Sequence, residues 1–331
     1  MVARVPAGPQ GEETDKVKIA SIVRAGEPGV RIGLGIAGGK VVDVAAAATA
    51  LSGPSILNAV AGSVKSFLQA GPVALDAARD LLAQVDAGHG GDAAADYILD
   101  ESRVRFLPPV PDPGKFLCVG KNYRDHLEEL KRTDLIKELP NEPTCFVKLN
   151  GVLCSQDAEV ARPEGITTFD YEPALAFVTG KPGYRSAKAD ATDHVVGITI
   201  FNDLTAREIQ KREVVSGTKF WMSKNMPNFG PVGPYIVTKD DYADMNDLWI
   251  SCSVNGEQRT RFNTGGQIYR APDIIEHFSR YMPLQAGDVF ATGSAGGVAV
   301  GHANAAELFM KPGDKVEASL EGLVTLRTRI V

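Results

Sequence analysis

The chain has 331 residues, of which 44% are hydrophobic and 23% are charged, and its formal net charge is −6. A chain of this length and composition is typical of an ordinary soluble protein with a large core. The acidic balance argues against non-specific binding to nucleic acid or to a membrane surface, because both favour basic patches. It leaves room for a small anionic substrate, which a few local Lys and Arg residues suffice to bind.

Cysteine usage and the N-terminal sequence favour a cytoplasmic protein. The four cysteines are scattered without a CxxC pair, which argues against a zinc site and is typical of reduced thiols. The first 16 residues have no apolar stretch like that of a signal peptide. No run of about 18 apolar residues occurs, so no membrane span is predicted.

The sequence predicts a tail, a small domain and a large domain, in that order. Residues 1–16 are polar and rich in Pro and Gly, and are predicted to form a flexible tail. Residues 17–44 carry alternating runs typical of hairpin strands, and apolar residues at helical spacing follow them. A stretch rich in Pro and Gly at 104–115 favours a domain boundary. We therefore predict a small α/β domain over 17–108 and a larger domain over 109–331.

Strand patterns dominate the larger domain. Buried strands are predicted at FLCVG, CFVKL and HVVGITIFNDLT, and hairpin turns at VNGE and LEGL. Helices are predicted at YRDHLEELKRTDLIKEL, AREIQKREVV and APDIIEHFSRYM. Strands and helices do not alternate strictly, which argues against a doubly wound nucleotide-binding fold. The predicted fold class is α+β and rich in strands.

One predicted strand, FDYEPALAFV at 169–178, carries carboxylates at its start. Alternation places Asp170, Glu172 and Ala174 on one face. Glu172 and Asp203 both stand near the ends of apolar runs, and such a pair can bind Mg²⁺ or Mn²⁺. The alternative is that both are solvated or capping acids, with Asp203 as a helix N-cap.

Two further groups of residues could carry chemistry. His126 and Glu129 are three apart and would share one helix face, where the carboxylate would orient the imidazole as a general base. The alternative is an ordinary charged helix in water. Lys148, Arg207 and Lys224 could bind an anionic substrate or stabilise an enolate, although surface salt bridges are the alternative.

Ordered motifs over residues 116–331 resemble the fumarylacetoacetate hydrolase family. They include FLCVGKNYRDHLEE, PTCFVKLNG, FDYEPALAFVTGK, GITIFNDLTAREIQKRE and APDIIEHFSRYMPLQAGDVFATGSAGGV. The resemblance implies a mixed β-roll or β-sandwich core with flanking helices and a smaller N-terminal domain. It also implies a homodimer, a divalent metal, and chemistry on acylpyruvates and related β-dicarbonyl compounds.

The resemblance assigns roles position by position. It implies that His126 and Glu129 activate water on a lid helix, and that Lys224 stabilises enolate charge. The implied metal ligands are Glu172 and Asp203. The implied substrate-binding residues are Tyr123, Lys148, Arg207, Gln210 and Thr292.

The sequence departs from the family pattern at the metal-binding strand. The pattern Asp-Tyr-Glu-x-Glu places a second carboxylate where this chain has Ala174. Asp170 lies about 13 Å along the strand from that position, taking about 3.3 Å per residue, and cannot replace it. A site for Mg²⁺ or Mn²⁺ is therefore expected to be weakened or lost. A second departure is Pro227, near a position where the family usually has Asp.

Three functions follow from these residues. The first is hydrolytic C–C cleavage through a metal-bound enolate, with water activated by His126 and Glu129. The second is metal-free or altered chemistry on the same fold, such as isomerisation, hydration, decarboxylation or retro-aldol cleavage. The third is a non-catalytic binding protein, against which the intact dyad argues.

Overall fold

The computed structural model of the protein describes residues 16–132, 141–217 and 220–331. Its N-terminal part consists of hairpin strands followed by helices, as the sequence predicts. The elements are β1 (Lys18–Arg24), β2 (Arg31–Ile36), β3 (Lys40–Asp43), α1 (Val44–Ala50), α2 (Ser55–Val60), α3 (Val64–Gln69), α4 (Pro72–Asp86), α5 (Ala94–Tyr97), β4 (Ile98–Asp100) and β5 (Val104–Phe106).

The remainder of the described chain is rich in strands, which confirms the predicted fold class. Its elements are β6 (Phe116–Gly120), α6 (Arg124–Arg132), β7 (Thr144–Val147), β8 (Leu153–Cys154), β9 (Ala158–Val160), β10 (Phe169–Asp170), β11 (Pro173–Thr179), β12 (Val195–Asn202), β13 (Thr205–Ala206), α7 (Arg207–Ser216), β14 (Gly230–Pro231), β15 (Ile236–Thr238), β16 (Trp249–Val254), β17 (Glu257–Asn263), α8 (Ala271–Ser279), β18 (Val289–Ala291), α9 (Ala305–Leu308), β19 (Lys315–Leu320) and β20 (Val324–Ile330).

Two large sheets contain most of the described strands, and the pairs β10-β13 and β8-β14 form two small ones. The larger has eleven strands in the order β4-β3-β2-β1-β15-β12-β11-β18-β6-β7, with β5 paired to β1. Since β1 pairs antiparallel with β15, the N-terminal part and the rest of the chain share this sheet. The smaller sheet has the order β17-β16-β19-β20-β9 and packs on β11 and β12.

The central strand β11 is buried on both faces and divides two cores. Ala174, Ala176 and Val178 pack into the core covered by the N-terminal helices. Leu175 and Phe177 point the other way, into the core formed with α8 and the smaller sheet. A strand covered on both faces has little freedom to shift its register. The functional groups at its start are therefore held on a rigid element.

The predicted continuous strand over 169–178 is wrong at its start. β10 ends at Asp170 and β11 begins at Pro173, so Tyr171 and Glu172 belong to neither strand. Pro173 has no N–H to donate and suits the first position of a strand. Asp170 instead accepts the Tyr171 N–H with its side chain at 2.9 Å. Strand alternation therefore does not relate the position of Asp170 to those of Glu172 and Ala174.

Helix and turn predictions are confirmed within the described residues. The VNGE hairpin turns at Asn255 and Gly256, both with positive φ, at 54° and 81°. Helix α7 ends at Gly217, whose φ is 81°. Helix α6 covers the first part of its predicted segment, and residues 133–140 lie outside the described residues. Every helix described is too short or too polar to span a lipid bilayer.

Glu208 fastens the start of α7 to the segment before β10. Its carboxylate accepts the N–H groups of Thr167 at 2.9 Å and Thr168 at 3.0 Å. Burial raises the pKa of Glu208, but hydrogen bonds from Thr168 and Thr167 outweigh it and lower the pKa to about 2. The ionised carboxylate therefore stabilises the fold at neutral pH.

We expect Glu208→Gln to lower the free energy of unfolding by about 1–2 kcal/mol at neutral pH. Because the folded pKa lies below the ordinary value of 4.5, this stabilisation fades as the pH falls from 4.5 towards 2. Urea denaturation of wild type and variant at neutral and acid pH measures the difference. The exposed Glu164 provides a Glu→Gln control without this network, and a difference independent of pH would contradict the assignment.

Candidate active site

Two buried carboxylates meet where β11 begins and β12 ends. Pro173 pairs with Asn202 across the two strands, which brings Glu172 and Asp203 side by side. The Asp203 N–H donates to the Glu172 carbonyl at 2.9 Å. The Glu172 N–H donates to the Asn202 side chain at 2.8 Å. Backbone pairing therefore fixes the two acids as neighbours, as the sequence predicted.

Three cations occupy all four oxygens of these carboxylates. Lys224 Nζ bridges the pair, 2.7 Å from Glu172 Oε2 and 2.7 Å from Asp203 Oδ2. Lys148 Nζ is 2.6 Å from Asp203 Oδ1. Arg207 Nη2 is 2.6 Å from Glu172 Oε1. The predicted cationic residues thus converge on the predicted acidic pair rather than on the surface.

The ion pairs keep these groups charged. Burial raises the pKa of Glu172, but the charges of Lys224 and Arg207 outweigh it and hold the pKa well below its ordinary value. Burial lowers the pKa of Lys224, but Asp203 and Glu172 raise it above its ordinary value. Each charge in this buried region is therefore stabilised by an opposite one.

Asp170 is the third carboxylate of the cluster and pairs with Arg207. It accepts Arg207 Nε at 2.8 Å and the N–H groups of Ala299 and Val300 at 2.9 and 3.1 Å. Arg207 also donates to Gln210 Oε1 at 2.9 Å. Asp170, Glu172 and Asp203 thus balance the charges of the three cations, and Asp170 has a structural place in the site.

His126 and Glu129 form a dyad on α6. His126 Nδ1 is 3.2 Å from Glu129 Oε2, and both side chains are largely buried. Glu129 Oε1 accepts the Gly297 N–H at 2.8 Å. A Cβ added at Gly301 would stand 2.4 Å from Glu129 Cδ, so α6 packs closely on this glycine-rich loop. The glycines permit tight backbone at the site, as expected from the sequence.

A cavity of about 30 Å³, the space of about one water molecule, joins the dyad to the carboxylate pair. Lys121, with a positive φ of 61°, stands at its wall. The lining residues are Cys118, Val119, Gly120, Lys121, His126, Phe146, Glu172, Ala174, Phe201, Asp203, Ala291, Gly293 and Ser294. Ala174 therefore presents a methyl group to the same space as the two acids.

Ser294 is a cavity residue that sequence reasoning missed. Its side-chain oxygen is buried and has no hydrogen-bond partner among the described residues. A buried hydroxyl without a partner is costly and is often completed by a ligand. The only signal in the sequence is its position in the glycine-rich stretch GSAGG, which does not distinguish a binding serine from a turn residue.

Tyr123 and Thr292 lie in a hydrogen-bonded network beside the cavity. Thr292 Oγ1 donates to the Leu175 carbonyl at 3.0 Å and accepts from Gln267 Nε2 at 2.9 Å. Gln267 Nε2 is also 3.2 Å from the Tyr123 hydroxyl. Neither residue is among those that line the cavity. In this geometry both hydroxyl groups are hydrogen-bonded to other groups of the protein. Their contact with substrate stays a prediction.

The donor set does not fit a resident divalent ion. Such an ion needs six or more oxygen ligands, of which carboxylates are the usual protein share. Here the oxygens of Glu172 and Asp203 already pair with cations, and Ala174 contributes no ligand. Within the described ranges no group of three His, Cys, Asp or Glu side chains is arranged to hold a metal. The metal implied by the family resemblance therefore stays a prediction without a matching site.

Fold and site define an enzyme of the fumarylacetoacetate hydrolase type. A family model described as fumarylacetoacetate (FAA) hydrolase C-terminal matches residues 115–331. The chain belongs to this family, which confirms the resemblance read from the motifs.

Similar proteins support an enzyme with varied chemistry. The chain is 36% identical over 241 residues to oxaloacetate tautomerase YisK of Bacillus subtilis, covering 72% of this chain and 77% of that protein. It is 35% identical over 269 residues to the human mitochondrial oxaloacetate tautomerase FAHD2A, covering 81% and 80%. The solved fumarylacetoacetate hydrolase from Exiguobacterium antarcticum superposes with a TM-score of 0.71 at 29% identity, covering 95% of this chain and 99% of that one.

We expect Asp170→Asn to lower the free energy of unfolding by about 3 kcal/mol or more, because it leaves the buried cluster with three cations and only two carboxylates. Urea denaturation at neutral pH measures the loss. Asp190 is exposed and provides a matched Asp→Asn control. A loss below about 1 kcal/mol would show that Asp170 is not required for the cluster.

Proposed function

We propose that the protein is a keto–enol tautomerase acting on a small 2-oxo acid with a second carboxylate, such as oxaloacetate. The observation that carries this proposal is the dyad, in which one oriented imidazole faces the cavity beside the buried cations. The names of the two curated relatives support the same reaction class. The hydrolase chemistry expected from the sequence is the second candidate.

The dyad favours a base at the Nε2 atom of His126. An ionised Glu129 can only accept hydrogen bonds, and its other oxygen already accepts the Gly297 N–H. The Nδ1 atom of His126 then carries the proton, and Nε2 holds the free lone pair. Since His126 lines the cavity, Nε2 is the atom available to a substrate.

Tautomerisation needs only one such group. Nε2 takes a proton from the carbon next to the substrate carbonyl, and the electron pair of that C–H bond forms the C=C bond. The carbonyl oxygen becomes an enolate oxygen and then receives the proton from the imidazolium, which returns His126 to its neutral form. The ammonium groups of Lys148 and Lys224 do not line the cavity but pair with Asp203, which does, and their nearby positive charge favours the developing negative charge. The Ser294 hydroxyl is placed to bind a substrate oxygen.

Hydrolytic C–C cleavage is the alternative because the same dyad could activate a water molecule. Cleavage makes greater demands, since it needs a positioned water, a tetrahedral intermediate and a leaving enolate. We therefore place tautomerisation first.

We expect His126→Ala to lower kcat for ketonisation by about 10²–10⁴-fold, because the only base of the proposed mechanism is removed. The rate is measured from the loss of ultraviolet absorption when enol-oxaloacetate becomes the keto form. His89 is exposed and remote from the site, and His89→Ala is the control.

Product analysis by NMR separates the two candidates. Tautomerisation leaves all carbon–carbon bonds of oxaloacetate intact. Enzyme-dependent formation of oxalate and acetate, or the absence of any effect on ketonisation with rapid cleavage of an acylpyruvate, would overturn the proposal in favour of hydrolysis.

We expect Gly301→Ala to lower kcat by about 10-fold or more while the thermal midpoint barely changes. The new methyl group would displace the flexible end of Glu129, and His126 would lose its orienting partner. Gly151→Ala is the matched control, because a Cβ there meets nothing within 4 Å. If the thermal midpoint of Gly301→Ala falls clearly together with kcat, the loss of activity reflects destabilisation of the fold and not a loss of His126 orientation.

A further inference from the structure

We infer that the ammonium group of Lys224 occupies the place between Glu172 and Asp203 that a divalent cation would take, so that the enzyme works without a metal. The inference deepens the proposed function, and only its catalytic part rests on that function. Its binding part concerns the two acids and Lys224 alone.

The geometry of the bridge is that of a bound cation. Lys224 Nζ stands 2.7 Å from one oxygen of each acid. Its next contact is the Asp203 carbonyl at 3.5 Å, so two of its three N–H donors are engaged at short range. A divalent ion bound by these two oxygens would occupy the same space as the ammonium group. The two cations therefore cannot be bound at the same time.

The turn that carries Lys224 is itself built into the fold. The buried Glu213 of α7 accepts the N–H of Met222 at 2.5 Å and the hydroxyl of Ser223 at 2.5 Å. Lys148 Nζ, which pairs with Asp203, donates as well to the carbonyl of Lys224. The lysine is therefore fixed from its backbone and from its charged end.

Charge balance favours the lysine over a metal. The cluster holds three carboxylates and three side-chain cations, all largely buried. A divalent ion added to this set would leave two positive charges uncompensated away from water. A carboxylate at position 174 would offset one of them, but Ala174 presents only a methyl group to the cavity. Without a carboxylate at position 174, the site has enough negative charge for the bridging ammonium but too little for an additional divalent ion.

The chemical consequence is a fixed hydrogen-bond donor in place of a Lewis acid. The remaining N–H of Lys224 can donate to an enolate oxygen, with the charge of the ammonium already in position. Such a donor supports proton transfer at carbon. It polarises a carbonyl less than a divalent ion does, which fits tautomerisation better than attack by water.

The test is a calorimetric titration of chelator-treated protein with Mn²⁺, with and without oxalate as a metal-chelating substrate mimic. We expect wild type to show no saturable site and to keep its full activity in chelator. We expect Lys224→Met to gain a one-to-one Mn²⁺ site, because the two carboxylates lose their resident cation, and Mn²⁺ to raise its thermal midpoint. Lys311→Met, at an exposed lysine, is the control and should remain without a site.

Three results would overturn the inference. They are a saturable Mn²⁺ site in wild type with or without oxalate, loss of wild-type activity in chelator, and a folded Lys224→Met variant without Mn²⁺ binding. If Lys224→Met does not fold, the wild-type titration alone still decides. Since binding is read without any substrate turnover, failure of the tautomerase proposal and failure of this inference are separate results.

Discussion

The buried ion cluster around Glu172 and Asp203 is the constraint on which the arrangement of the site depends. Charges removed from water are tolerated only when each one meets an opposite charge or several hydrogen bonds. Lys148 follows β7, Arg207 opens α7, and Lys224 lies in a turn beyond it. Segments distant in the chain are therefore located by one electrostatic requirement.

The apolar core supplies the rigidity that this cluster needs. Both faces of β11 are buried, so the strand cannot shift without exposing one set of side chains. Glu172 stands immediately before this strand, and Asp203 immediately after its partner β12. The transition from apolar packing to buried charge occurs within one residue on each strand. That sharp transition holds the carboxylates within hydrogen-bonding distance of their cations.

Local pattern was enough to predict most of the strands and helices, because alternation and helical spacing reflect burial directly. It also identified the acids and cations of the site as candidate functional residues. It could not show that Lys224 bridges Glu172 and Asp203, since that contact joins residues 52 and 21 positions apart. It predicted one continuous strand through Asp170 and Glu172, which is wrong because β10 ends at Asp170 and β11 begins only at Pro173.

Other parts of the site depend on packing that no motif reports. The open hydroxyl of Ser294 becomes visible only when the cavity is formed around it. The closeness of Gly301 to Glu129 depends on how α6 lies on a loop far along the chain. Such contacts arise from tertiary structure, and the residue types alone are compatible with many other arrangements.

The even balance of charge in the cluster also restricts how the site could change over evolutionary time. Replacing any one of its six ionised side chains leaves an unmatched charge in the interior, which selection would remove before a second change could arise. Changes at these positions are therefore expected to come in compensating pairs. A substitution that introduces a carboxylate at position 174 is expected together with the loss of a nearby Asp or Glu, or with the gain of another cation. Substitutions at this site are therefore expected to be correlated between segments far apart in the chain.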